Sequence, residues 1–229
     1  MLKGEWRAAL LAPPGRAADE GRRAEALRRR AVYRQSRRLF VSPAAELTQI
    51  RINALLDGKE LIMPGPGLKE GFYLVRPFSV PFPRLKLAVS LKGVALCGRL
   101  LRHEELPGLG IDLLLTEALA VDEQGGRLGD GSGFFDLAAA ILNQSGALSP
   151  EAQVWAAGTR HRPPALPRDP WDVPMHGLIE AEEVLVFPTA GVMPGIYWQY
   201  LPAARIRRLT PLWREWRRLQ TEGITPGAG

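Results

Sequence analysis

Between Arg38 and Pro66 the chain reads as strand, helix, strand. RLFVSP (38–43) is an apolar run that suits a strand. The segment AAELTQIRINALLDGK then places Leu47, Ile50, Ile52, Leu55 and Leu56 at helical spacing, with Gly58 as a stop. ELIMPGP (60–66) is a second buried strand that ends in a Pro/Gly turn. Two strands joined through one helix lie parallel in one sheet, and a parallel sheet has to be covered on both faces. That requirement restricts the chain to a layered α/β fold.

The rest of the sequence repeats the theme. Ile111 to Leu115 reads as an apolar run, as expected of a central strand. FFDLAAAILNQSGAL reads as a helix that ends at Gly146, and AQVWAAGT (152–159) as a further strand. GLIEAEEVLVFP (177–188) supplies one more strand near its end. At the N-terminus, LKGEWRAALLA predicts a short helix stopped by Pro13-Pro14-Gly15, and residues 18–38 predict a second helix. The proline-rich stretch from Pro163 to Pro170 reads as a loop over the active face. GIYWQYL (195–201) leads into a basic tail from about residue 205. Neither an internal repeat nor a domain boundary is evident, so residues 1–229 are expected to form one domain.

Several functional classes become improbable at this stage. A single cysteine, Cys97, rules out an internal disulfide and a multi-cysteine zinc site; its apolar context VALCG suggests a core position. No segment reads as a membrane span or a secretory leader, so a cytoplasmic location is expected. The net charge of +6 favours anionic partners. Arginines cluster between Arg22 and Arg38 and again between Arg205 and Arg218. The latter segment brings Leu209, Leu212, Trp213, Trp216 and Leu219 near one helical face, which fits a docked helix better than an RNA-binding one. Nucleic acid therefore remains a lesser alternative partner.

The densest chemistry lies in RLGDGSGFFD (127–136). Gly129, Gly131 and Gly133 alternate with other residues between a strand region and a helix. Free backbone N–H groups at such a junction attract anions, and glycines let a phosphate approach. The spacing matches neither a Walker A loop nor a dinucleotide fingerprint, and a structural turn explains it equally well. Arg127 could pair with a phosphate in bidentate fashion. Asp136 could hold Mg²⁺ or cap the helix. Asp130 is the awkward member, because a carboxylate within ~4 Å of a phosphate costs on the order of 1 to 4 kcal/mol unless a cation intervenes.

The segment GIDLLLTEALAVDEQGGRLGDGSGFFDLA resembles the signature of the 5-formyltetrahydrofolate cyclo-ligase family. KGEWR (3–7), ELTQIRINALLDGKELIMP (46–64) and PRDPWDVPMHGLI (167–179) resemble other family segments in the same order. PGPGLKEGFY, GGRLGDGSGFFDLAAA, GIYWQYL and TPLWREW bring the chain nearest to the subgroup of methenyltetrahydrofolate synthetase domain-containing proteins. The resemblance implies a three-layer α/β/α sandwich with a mostly parallel sheet, similar to the sugar-phosphate isomerase and CoA-transferase superfamily. It also implies ATP-dependent cyclisation of 5-formyltetrahydrofolate to 5,10-methenyltetrahydrofolate with Mg²⁺, by a monomer or homodimer.

Carried over residue by residue, the resemblance implies that Lys3, Arg7, Arg127, Gly129, Gly131, Ser132 and Gly133 contact ATP. Asp136 and Arg127 would serve catalysis, with Asp136 on the Mg²⁺ side. Glu46, Phe72, Tyr73 and Phe134 would line the folate pocket, with Phe135 nearer the core. His161 could reach the ligand face. Three departures point to a second reading, a binding homologue without turnover. Leu137 stands where the family has a basic residue, Phe134 and Phe135 where it has tyrosines, and Asp130 where the enzymes have Tyr.

Overall fold

The computed structural model describes residues 2–10, 17–158, 161–187 and 191–224. Its strands are β1 (Arg38–Val41), β2 (Glu60–Pro64), β3 (Phe72–Val75), β4 (Arg99–Leu100), β5 (Ile111–Thr116), β6 (Ala120–Val121), β7 (Arg127–Leu128), β8 (Leu148–Ala157), β9 (Gly177–Ile179) and β10 (Val184–Val186). The helices are α1 (Lys3–Ala9), α2 (Ala17–Arg28), α3 (Ala31–Gln35), α4 (Thr48–Leu56), α5 (Leu85–Ala88), α6 (Val94–Cys97), α7 (Phe134–Gln144), α8 (Ala203–Arg208) and α9 (Thr210–Thr221). Eight strands form one sheet in the order β10-β9-β8-β5-β1-β2-β3-β4, and β6 and β7 form a separate hairpin.

The strands from β9 across β8, β5 and β1 to β2 pair in parallel. Antiparallel strands extend both edges, β10 on one side and β3 and β4 on the other. Alternation along the strands divides the core in two. Phe40, Ile62, Leu114, Val154 and Leu178 face one side, where α7 and α9 contribute Ala139, Ile141, Leu212 and Leu219. Leu39, Val41, Leu61, Met63, Leu113 and Leu115 face the other, under Ala24 and Leu27 of α2 and Ile50, Ala54 and Leu55 of α4. Helices therefore cover both faces, the three-layer sandwich that the parallel unit at 38–66 demands.

Several expectations need correction. The helix expected over 18–38 breaks into α2 and α3, because Arg30 is extended (φ −82°, ψ 142°). The break turns Tyr33 inward, where its hydroxyl donates to Asp57 at 2.8 Å. The run from Ile111 to Leu115 is interrupted by Asp112, whose carboxylate accepts the Arg37 and Arg38 N–H groups at 2.8 and 3.0 Å. The strand region at 177–188 is two strands, β9 and β10, paired antiparallel. Cys97 is only half-buried.

The basic tail is the docked helix that its apolar face favours. Residues 203–221 form α8 and α9, with Leu209, Leu212 and Leu219 buried in the core. Glu215 is fully buried there and accepts from His103 Nε2, Gln144 Nε2 and Arg218 Nη2 at 3.2, 3.2 and 2.6 Å. Trp216 packs against this core while Trp213 stays partly exposed. The expected stop at Pro13-Pro14-Gly15 and the strand end at Thr159 lie outside the described residues. Among the described residues, no helix is long and apolar enough to cross a membrane.

Candidate functional site

From β1 the chain crosses through α4 to β2 on one side, while β5 pairs with β1 on the other. The sheet order reverses at this point, and the carboxyl ends of β1 and β5 open a crevice where ligands bind in open α/β sheets. A cleft of about 960 Å³ lies there, lined by Ser42 and Ala44 after β1 and by Glu117 and Ala118 after β5. Its volume is within the range of small-molecule sites, roughly 300–1,000 Å³. Arg51 of α4, fully buried, fixes the β1 side by donating to the carbonyls of Ser42, Ala44 and Val89 at 2.5, 2.9 and 2.8 Å. Burial pulls its pKa down to about 10 against the fields of Glu117, Glu20 and Glu46, so it stays charged at neutral pH.

The glycine loop forms one wall. β6 and β7 carry Arg127 to the cleft, and α7 begins just after Gly133. Gly129 has to be glycine because a Cβ there would lie 2.5 Å from Arg127 Nη1. Gly131 has φ +94°, and a Cβ there would press on Arg7 Nε at 3.1 Å. Arg7 Nε donates to the Gly129 carbonyl at 2.9 Å, so α1 braces the loop directly. Arg127, only 5% exposed, donates to Asp136 Oδ2 at 2.7 Å. The other oxygen of Asp136 accepts the Val173 N–H at 3.2 Å.

Asp130 turns back into its own loop. Its Oδ1 accepts the Ser132 N–H at 2.9 Å and the Ser132 hydroxyl at 2.7 Å, an Asx turn at an exposed position. Its charge is thus directed at loop donors, and the Ser132 hydroxyl is already engaged.

Lys3 also reaches the cleft and is not a loose terminal residue. Its ammonium pairs with Asp169 at 2.6 Å and with Asp172 in a short contact. These acids follow the proline-rich connector, which is anchored by buried Asp122 through the Leu166 N–H and Arg168 at 3.0 Å each. The connector places Asp169, Trp171 and Asp172 on the cleft, as a loop over the active face should.

The residues expected to line the folate pocket divide. Glu46 and Phe134 lie on the cleft, with Arg205 stacked over the Phe134 ring at 5.9 Å. Phe72 and Tyr73 are not brought there. Phe72 is core, edge-on to Phe40 at 5.9 Å. Tyr73 faces the opposite layer, and its hydroxyl donates to Glu70. That hydrogen bond and burial raise its pKa to about 12. Leu137 and Phe135 are core residues that also line the cleft, and Phe135 packs against Phe40 with the Arg127 guanidinium 5.0 Å from its ring. His161 contacts the Trp6 ring at 5.9 Å and is not among the cleft-lining side chains.

Other cleft residues were not anticipated. Trp171, Tyr197 and Tyr200 form an aromatic cluster, with ring centroids 4.6 Å apart for Trp171–Tyr200 and 6.1 Å for Trp171–Tyr197. Glu117 accepts the Ser42 hydroxyl across the crevice, and Arg23 lines the α2 side. The aromatic composition of GIYWQYL was the available signal; Arg23 had none, being one arginine among many.

Among the described residues, no group of three or more His, Cys, Asp or Glu could hold an ion. Each oxygen of Asp136, the residue expected on the Mg²⁺ side, accepts one hydrogen bond, from Arg127 and from the Val173 N–H.

The family model described as the 5-formyltetrahydrofolate cyclo-ligase family matches residues 2–180. Two curated relatives, each named methenyltetrahydrofolate synthase domain-containing protein, come from Homo sapiens and Bos taurus. The human protein is 29% identical over 130 residues, covering 54% of this chain and 32% of its own length. The bovine protein is 30% identical over 135 residues, covering 56% and 34%. The chain thus spans about a third of these relatives. Among solved structures, the NMR structure of Aquifex aeolicus 5,10-methenyltetrahydrofolate synthetase aligns with a TM-score of 0.55 and 20% identity, covering 84% of this chain and 96% of that one. The Mycoplasma pneumoniae 5,10-methenyltetrahydrofolate synthetase aligns with a TM-score of 0.52 and 13% identity, covering 80% and 100%. At these identities the two structures establish a shared fold.

Proposed function

The chain belongs to the 5-formyltetrahydrofolate cyclo-ligase family, and on that footing we propose that it converts 5-formyltetrahydrofolate to 5,10-methenyltetrahydrofolate with ATP. One observation carries this reading. The switch-point cleft joins the glycine loop, braced by Arg7 and backed by Arg127, to the aromatic cluster of Trp171, Tyr197 and Tyr200. The first wall suits phosphates and the second a flat heterocycle.

In the reaction implied by the family, the formyl oxygen attacks the γ-phosphate and displaces ADP, N10 then closes on the activated carbon with loss of its proton, and phosphate leaves carrying the former formyl oxygen. Positioning and charge neutralisation dominate such a step, so no protein nucleophile is required. Arg127 and Arg7 would hold the phosphates, with the loop N–H groups. Lys3 would join them by exchanging Asp169 and Asp172 for a phosphate oxygen. Mg²⁺ would arrive with ATP as part of the substrate. ATP and 5-formyltetrahydrofolate added together should raise the absorbance of the methenyl product. Absence of that rise, with no folate binding by calorimetry, would sink the proposal.

A nucleotide- or folate-binding homologue without turnover is the second reading. Leu137 favours it, since an apolar side chain lines the cleft where the family has a basic residue. Ligand binding with no product formation would select this reading.

A further inference from the structure

Arg23 is a buried cation on α2 with no counter-charge among the described residues. It is 8% exposed, and its Nε is buried with no hydrogen-bond partner. Arg51 donates to three carbonyls, and Arg127, whose Nε is likewise without a partner, has its charge matched by Asp136. Neither Glu20, one turn earlier on α2, nor Glu46 on the cleft forms an ion pair with Arg23 among the described residues.

The guanidinium is also placed with care. It lies against Gly158, just beyond β8, where a Cβ would stand 3.0 Å from Arg23 Nη1. Gly158 has φ +84°, so a side chain there would meet both strain and a clash. Arg23 and Gly158 both line the cleft. Desolvating a charge without a partner is costly, and the cost is offset when a ligand brings the opposite charge. A guanidinium fork matches a carboxylate or a phosphate in bidentate geometry.

We infer that Arg23 is an anion subsite in the α2-side wall of the cleft, and that it takes a carboxylate of the ligand that shares the cleft with the nucleotide. The choice of carboxylate rests on the folate reading above, because reduced folates carry a glutamate tail. Phosphates have the glycine loop with Arg7 and Arg127. Arg23 instead belongs to the layer that packs on the other face of the sheet, beyond β8.

The test compares wild type, Arg23→Met and Arg23→Lys as full chains, by thermal shift and calorimetry. The probes are 5-formyltetrahydrofolate, its analogue lacking glutamate, glutarate, inorganic phosphate and ATP with Mg²⁺. Arg23→Met should weaken 5-formyltetrahydrofolate by about tenfold or more. It should abolish the preference for the folate over the glutamate-free analogue and leave ATP affinity unchanged. Arg23→Lys should recover part of the loss. The ligand-free Met variant should melt no lower than wild type, since it loses a charge that had no partner. Unchanged folate and glutarate affinity in Arg23→Met would overturn the subsite while leaving the folate reading intact. A loss confined to ATP and phosphate would overturn the carboxylate assignment. Wild type that ignores folate, yet is stabilised by glutarate only when Arg23 is present, would overturn the folate reading and leave the subsite standing.

Discussion

Asp136 and Arg127 show at the scale of single residues how a motif can be correct in place and different in state. The sequence marked both as phosphate-side groups, and the fold puts both on the cleft. What it could not disclose is that they hold each other at 2.7 Å, with Arg127 almost fully buried. Removing one partner strands the other without solvent. Asp136→Ala should therefore cost about 3 kcal/mol or more in urea unfolding, as well as weakening ATP binding. A stability change under 1 kcal/mol would show that the pair is not holding the loop. Asp130 was legible only as a problem, and the Asx turn with Ser132 resolves it locally. Such a turn depends on rotamers, which spacing alone cannot give.

Periodicity served well for elements whose burial is simple. The unit β1–α4–β2, strand β5 and helix α7 all occur where apolar spacing predicts them. It missed β3, where Phe72 to Val75 are all buried and no period of two survives. Phe72 and Tyr73, carried to the folate pocket by the resemblance, lie on this strand and face the two core layers instead. For α9, the apolar stripe was legible but its setting was not. Burial alone would raise the pKa of Glu215; hydrogen bonds from His103, Arg218 and Gln144 outweigh it and bring it down to about 2. A carboxylate depressed in the folded state stabilises fully above its unfolded pKa and loses that contribution as pH falls. The loss should run from about pH 4.5 to about pH 2 and amount to about 3 kcal/mol. Glu215→Gln should lower stability at neutral pH and flatten the acid limb in that window. An acid limb identical to wild type would remove α9 from the account of acid unfolding.

Across the whole molecule, part of each arginine cluster is neutralised by ion pairs. Arg22, Arg28 and Arg38 pair with Glu182, Asp57 and Glu60, and Arg214 and Arg218 with Glu104 and Glu215. Apart from Glu215, three residues before Arg218 on α9, these acids lie at least 22 residues away in sequence, so local charge runs overstate the field presented to a polyanion. An RNA mobility-shift assay at low salt is expected to show no complex; a complex that weakens steeply with added salt would reinstate the nucleic-acid reading. The layered α/β architecture followed from the sequence by itself, because a parallel strand pair joined by one helix leaves few ways to bury both faces. The glycine loop and its arginines were legible for the same reason, since strand-to-helix junctions in such sheets recur at one edge. Only the tertiary structure decided which charges are neutralised and which are not. Lys3 meets Asp169 and Asp172 across most of the chain, whereas Arg23 forms no ion pair among the described residues. Ion pairing is set by distances of a few ångströms between segments remote in sequence, and no local pattern encodes them.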